Sequence, residues 1–82
     1  MFAIVDIETT GGHANNNGIT EIAIFLHDGT RVTDSFTTLI NPGVYIPAFI
    51  EGYTGITNKM VENAPSFETV SNKIYDMLNN NI

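Results

Sequence analysis

The chain has no cysteine and no tryptophan among its 82 residues. Without thiols there can be neither a disulfide nor a thiolate metal site, which fits a cytoplasmic protein. Positive charge is nearly as scarce: Arg31, Lys59 and Lys73 stand against nine acids, for a net charge of −6. That balance excludes a basic surface for gripping nucleic acid. An anionic substrate would need a cation between it and these acids, or bases from elsewhere. No stretch approaches the roughly 18 consecutive apolar residues of a membrane span. The N-terminus does not read as a secretory leader either, because Asp6 and Glu8 break the apolar run and no basic segment precedes it. No repeat or linker divides the chain, and 43% hydrophobic with 15% charged residues describes one small globular domain.

What is present is patterned. Residues 2–8 alternate, with Phe2, Ile4, Asp6 and Glu8 on one face and Ala3, Val5 and Ile7 on the other, as in a strand. Gly11–Gly18, "GGHANNNG", is loop chemistry, expected to be among the most mobile segments. Residues 19–26, "ITEIAIFL", are apolar on both faces apart from Thr20 and Glu21, as in a central strand covered on two sides. Asp28-Gly29 is a type I′ hairpin signal, and residues 31–40 return as a more polar edge strand. After "NPGVYIP", Pro47 can open a short helix that Gly52 would end. Thr57 can cap a second helix, "NKMVENA", stopped by Pro65. Ser66 then caps a longer one, on which Phe67, Val70, Ile74, Met77 and Leu78 recur at helical spacing. The expected class is α/β: a three-stranded antiparallel sheet (2–8, 19–26, 31–40) followed by helices. Ile82 reads as the first residue of another strand, and the chain as a fragment.

Asp6 and Glu8 carry the chemistry. Residues two apart on a strand project from one face with Cα atoms about 6.6 Å apart. Carboxylates so placed can converge on one divalent cation, or on a pair roughly 3.5–4 Å apart. Oxygen ligands suit Mg²⁺ or Mn²⁺ better than zinc. The alternative is a frayed strand end facing water. The apolar FAIV run before the acids argues for burial up to that point, where unpaired charges are costly unless metal-bound or hydrated.

At this point the residues show a resemblance. "VDIETTGG" is similar to the first signature motif of the DEDD 3′–5′ exonucleases, the group containing the proofreading epsilon subunit of bacterial DNA polymerase III. "ITEIAIF" resembles that family's second strand, "INPGVYIP" its turn after the third, and "YTGITNKMVENAPSF" its Gly-Ile-Thr segment with the Ala-Pro-x-Phe that follows. The similarity runs in order from residue 2 to about residue 78. It implies a ribonuclease-H-like fold whose mixed sheet carries four acids and two Mg²⁺ or Mn²⁺ ions. By position, Asp6 would bridge both ions and Glu8 would hold one. Thr9 and Thr10 would lie against the terminal nucleotide, and Tyr53, Thr54, Gly55 and Ile56 would pack on its base. The implied substrate is a DNA or RNA 3′ end, and a DNA polymerase subunit is an implied partner.

The sequence departs from the family in one large respect. The second signature motif, with its Asp, and the third, with an Asp and a histidine base, are absent from these 82 residues. Neither His13 nor His27 matches the position of that base, and both read as surface histidines. The chain is therefore expected to be the N-terminal part of one exonuclease domain, inactive alone and prone to self-association through its open edge and face. The alternatives are a non-catalytic binding or assembly module that keeps the fold, and a phosphoryl-transfer enzyme with an aspartate nucleophile. Glu21 reads as a second-rank group near the acids or as a structural partner for a threonine. Tyr53 reads equally as a base contact or as core, while Asp34, Glu51, Glu62, Glu68 and Asp76 read as solvated surface.

Overall fold

In the computed structural model the described residues are 1–11, 18–79 and 81–82. Three strands form one sheet: β1 (Phe2–Thr9), β2 (Ile19–His27) and β3 (Val32–Leu39), in the order β1-β2-β3 and antiparallel throughout. Three helices follow: α1 (Ala48–Thr54), α2 (Asn58–Val61) and α3 (Phe67–Leu78). The strand limits agree with the alternation of the sequence to within a residue or so at each end.

Register decides which residues share a face. Val5 pairs with Ile24 and Ile24 with Phe36, while Glu8 pairs with Glu21 and Glu21 with Leu39. Directly opposed residues point the same way. One face therefore carries Val5, Ile7, Ile22, Ile24 and Phe36, and the other Asp6, Glu8, Glu21 and Leu39. The first face packs on α3, where Ile22, Ile24, Ile40, Ile74 and Met77 form the larger core. Fully burying side chains of this size is worth about 1.5–3 kcal/mol each. Lys73, on α3, holds its ammonium 6.0 Å from the centre of the Phe36 ring at the margin of that core. On the second face Ile46, Ile56 and Val61 close a smaller cluster with Leu39, Ile50 and Ala64, which seats α1 and α2 on the sheet.

Several local expectations are corrected. Gly52 does not end α1; the helix runs through it to Thr54 and stops at Gly55, whose φ of +80° turns its N–H back to the Glu51 carbonyl (2.8 Å). The second helix is a single turn rather than seven residues, though Thr57 caps it as read, accepting from the Met60 N–H at 3.2 Å. Ser66 caps α3 as read, and Asn81 donates from its side chain to the Met77 carbonyl (2.7 Å) at the other end. The hairpin is not a two-residue turn over Asp28-Gly29. The Asp28 N–H donates to the Arg31 carbonyl, and the Asp28 carboxylate accepts from the N–H groups of Thr30 (2.8 Å) and Arg31 (3.0 Å). That wider loop is favoured by aspartate's capacity to bond backbone two and three residues on.

Two burial expectations also fail. The FAIV run is not buried up to the acids: Phe2, Ile4, Val5 and Ile7 are each about half exposed, because β1 is an outer strand. β2 is the central strand, yet it is buried on the α3 face alone, with Phe25 exposed on the other. β1 also has a neighbour on its far side. Ile82 donates its N–H to the Met1 carbonyl (3.1 Å) and accepts from the Ala3 N–H (2.6 Å), the pattern of a parallel neighbour centred on Phe2. Among the described residues no helix is long and apolar enough to cross a membrane.

Candidate active site

Asp6 and Glu8 lie near the C-terminal end of β1 on one face, as their spacing predicts. Asp6 is exposed and Glu8 half-buried. The pairing register shifts between Glu8 and Thr9, a bulge that ends regular pairing directly after the second acid. Among the described residues neither carboxylate makes a side-chain hydrogen bond or ion pair, so both are free to accept an incoming group. Glu21 stands directly across from Glu8. Like charges so opposed work against the fold unless something positive relieves them. The structural partnership anticipated for Glu21 is not seen among the described residues.

A divalent ion fits this donor set in kind, since oxygen-only ligands are what Mg²⁺ and Mn²⁺ prefer. Among the described residues no group of three or more acids or histidines converges in a way that could hold an ion. The described chain therefore offers the pair Asp6 and Glu8 and no third ligand.

The residues after the pair behave differently from one another. Thr9 donates its hydroxyl to the Gly11 carbonyl (3.0 Å), two residues on. Thr10 is buried, and its hydroxyl accepts from the Gly18 N–H (3.0 Å) while its own N–H donates to the Gly18 carbonyl (2.9 Å). Thr10 and Gly18 thus join the two ends of the Gly/Asn-rich loop. Residues 12–17 of that loop, with His13 and the expectation of mobility, lie outside the described residues. His27 is half-buried, and its Nδ1 accepts from the Gly29 N–H (3.0 Å), a local turn bond.

The second segment is equally mixed. Tyr53 is 87% exposed, which removes the reading of it as core. Thr54 donates its hydroxyl to the Ile50 carbonyl (3.0 Å) and accepts from the Ile56 N–H (3.1 Å), fixing the turn out of α1. Gly55 is exposed in the left-handed conformation, and Ile56 is buried with Ile46 and Val61. Of the four, Tyr53 and Gly55 are open to a ligand, and the other two hold them in place.

What positions this segment was not foreseen. Asn58 accepts from the Ile46 N–H (2.8 Å) and donates to the Ile46 carbonyl (3.0 Å) and to Glu51 Oε2 (3.0 Å). The same carboxylate oxygen accepts from the Asn58 N–H (2.7 Å). Glu51, expected to be solvated surface, is half-buried and serves as an anchor. A signal was available for the exposed ridge of α1: Phe49 and Tyr53 share a spacing of four, one position out of step with inward-facing Ile50 and Thr54. A separate cavity of about 390 Å³ opens beside the start of α3, lined in part by Gly18, Pro42 and Phe67, and includes none of the predicted site residues.

With this geometry in hand, the chain can be set beside known proteins. Residues 3–82 match the family model of the RNase_T exonuclease domain. The 3′-5′ exonuclease DinG of Bacillus subtilis is 41% identical over 78 residues, covering 94% of this chain and 8% of the relative. The DNA polymerase III subunit epsilon of Aquifex aeolicus is 33% identical over 81 residues, covering 99% of this chain and 40% of the relative. Among solved structures, exonuclease X in complex with 5′ overhanging duplex DNA superposes with a TM-score of 0.79 at 29% identity, over 92% of this chain and 43% of that one. The nuclease domain of 3′hExo, a DEDDh family member bound to rAMP, gives 0.76 at 26% identity, over 92% of this chain and 42% of that one. The chain thus spans less than half the length of each of these relatives.

Proposed function

Because the chain belongs to the RNase_T exonuclease family and carries part of its ribonuclease-H-like fold, we propose that it contributes the first two catalytic acids of a metal-dependent 3′–5′ exonuclease. The observation that carries this reading is the shared face of Asp6 and Glu8 at the end of β1, within a segment matching the family throughout. In this proposal Asp6 and Glu8 would together hold the divalent ions, Mg²⁺ or Mn²⁺, with Asp6 shared between them. Such ions lend Lewis acidity to the scissile phosphodiester and neutralise its charge. That relieves the mismatch between a chain of net charge −6 and a polyanionic substrate.

The remaining residues bind and orient. Thr9, just past the register shift after Glu8, would contact the terminal nucleotide, and buried Thr10 would shape that contact through its clamp on Gly18. Tyr53 packs on the terminal base, with Gly55 allowing close approach and Thr54 and Ile56 holding both in position. The substrate is a DNA or RNA 3′ end, a DNA polymerase subunit is a candidate partner, and the compartment is the cytoplasm. The 82 residues alone are inactive, since two acids repay little of the cost of stripping water from Mg²⁺. Half-exposed Phe2, Ile4, Val5 and Ile7 favour self-association of the isolated chain. A clean monomer in sedimentation at micromolar concentration would refute that last point.

The test is direct. In a polypeptide that continues through the family's other two motifs, Asp6→Ala and Glu8→Gln should each nearly abolish release of nucleotides from an oligonucleotide labelled at its 3′ end, with Mn²⁺ present and the thermal melt preserved. Retained activity in both variants sinks the assignment. An active-looking fold with no Mn²⁺ binding and no cleavage would instead favour a non-catalytic assembly module.

A further inference from the structure

Glu21 stands on the central strand, and its sheet neighbours on that face carry no donor. Across from it are Glu8 on β1 and Leu39 on β3, and the next residue of β2 on the same face is Ala23. Leu39 belongs to the smaller apolar cluster. Glu8 and Glu21 are both half-buried, and among the described residues neither carboxylate has a hydrogen bond or ion pair. Directly opposed residues of an antiparallel pair hold their Cβ atoms about 4.5–5.5 Å apart, so two like charges face each other across one strand spacing. A half-buried carboxylate without a donor works against the fold. The repulsion falls on one acid of the pair alone, because Asp6 has Ala23 across from it. Of the three bases, Lys73 is committed to the opposite face, over Phe36.

Resting on the exonuclease reading, we propose that Glu21 is a positioning residue for the divalent ions, acting through Glu8. Among the described residues no three acids converge closely enough to share an ion, so Glu21 is not a third ligand. Its charge does two things. It keeps the Glu8 carboxylate from settling against β2, and it adds to the negative potential that draws a cation to Asp6 and Glu8. A divalent ion on Glu8 cancels the repulsion, so stability that the empty fold loses to the opposed charges returns as affinity for the ion. In water, a unit charge about 7 Å from a doubly charged ion contributes roughly sevenfold to its affinity, and salt reduces this. A glutamine of the same shape lacks the charge and can donate to Glu8, which reverses both effects.

The test uses a polypeptide that continues through the family's other two motifs, and it reads stability and ion affinity. In EDTA, Glu21→Gln should raise the melting temperature by about 1–4 °C. In calorimetric titration its Mn²⁺ affinity should fall roughly 3- to 10-fold. The two quantities move in opposite directions, which an acid that merely supports the fold does not produce. In a Glu8→Gln background the gain in melting temperature should vanish, because the opposing charge is gone. Glu21→Asp keeps the charge and should hold Mn²⁺ affinity within about twofold of the parent. Asp34→Asn removes a charge near the other end of β3 from Leu39 and should leave Mn²⁺ affinity as it was. A lower melting temperature for Glu21→Gln in EDTA overturns the proposal in favour of a role in the fold. Unchanged Mn²⁺ affinity in Glu21→Gln, with Asp6→Ala impaired, overturns it and leaves the exonuclease reading standing. An equal loss in Asp34→Asn overturns it as an effect of net charge. The expected shifts in a parent that cleaves nothing sustain the role of Glu21 and refute the exonuclease reading. No Mn²⁺ binding by the parent overturns both.

Discussion

Removing the Asn58 side chain should be among the most damaging single changes available outside the two cores. In Asn58→Ala three side-chain bonds disappear: one accepted from Ile46, one donated to Ile46 and one donated to Glu51. A net contribution of about 0.5–1.5 kcal/mol applies to each. Ile46 is fully buried, so its N–H would be left without a partner, which adds roughly 1–3 kcal/mol. Partial relaxation and water entry reduce the sum, and a loss of about 2–4 kcal/mol is expected. A domain of this length has a stability of roughly 4–12 kcal/mol at typical per-residue values. At about 4–8 °C per kcal/mol, the melting temperature should fall by at least about 8 °C. Glu51→Gln keeps an acceptor for the Asn58 donors and should lose about 1 kcal/mol or less. Asn58→Asp keeps the acceptor for the Ile46 N–H but turns oxygen toward the Glu51 carboxylate, and should be at least as harmful as alanine. Circular dichroism melts and urea titrations of the three variants give the ranking. If Asn58→Ala lies within about 0.5 kcal/mol of the parent, the bonds described here do not hold the segment.

Two further outcomes follow from local geometry. A Cβ on Gly18 would sit 2.6 Å from the Pro42 carbonyl oxygen and 2.8 Å from its Cβ, so Gly18→Ala should cost about 1–3 kcal/mol in a thermal melt, whereas Gly29→Ala, open on all sides, should cost about 1. Backbone bonds from Arg31 and Thr30 hold the Asp28 carboxyl below its ordinary 3.8; its stabilising effect is therefore complete above that value and lost as pH falls through the lowered one, and Asp28→Asn should flatten that part of a stability–pH profile.

The strands, the Ser66 cap and the pairing of Asp6 with Glu8 on one face were legible because period two and capping chemistry are local properties of the sequence. The end of α1 was not. Gly52 and Gly55 are alike on paper, and the choice of Gly55 depends on a positive φ made useful by the Thr54 and Ile56 bonds around it. The role of Glu51 was equally hidden, since its partner lies seven residues away across a turn whose path alternation does not encode. Exposure of the FAIV run was misjudged because hydrophobicity reports what a strand can bury, while its position at the outside of the sheet determines what it does bury.

The clamp between Thr10 and Gly18 has an evolutionary consequence. Two hydrogen bonds join the chain before and after the intervening segment, so the clamp helps to set the path of β1 through Glu8 and the entry to β2. Closing a longer flexible excursion there costs only about 0.6 kcal/mol for each doubling of its length. Insertions and deletions in that segment can therefore accumulate, and new contacts can be tried, while the two carboxylates keep their spacing. The clamp marks where the geometry behind the two carboxylates must stay fixed.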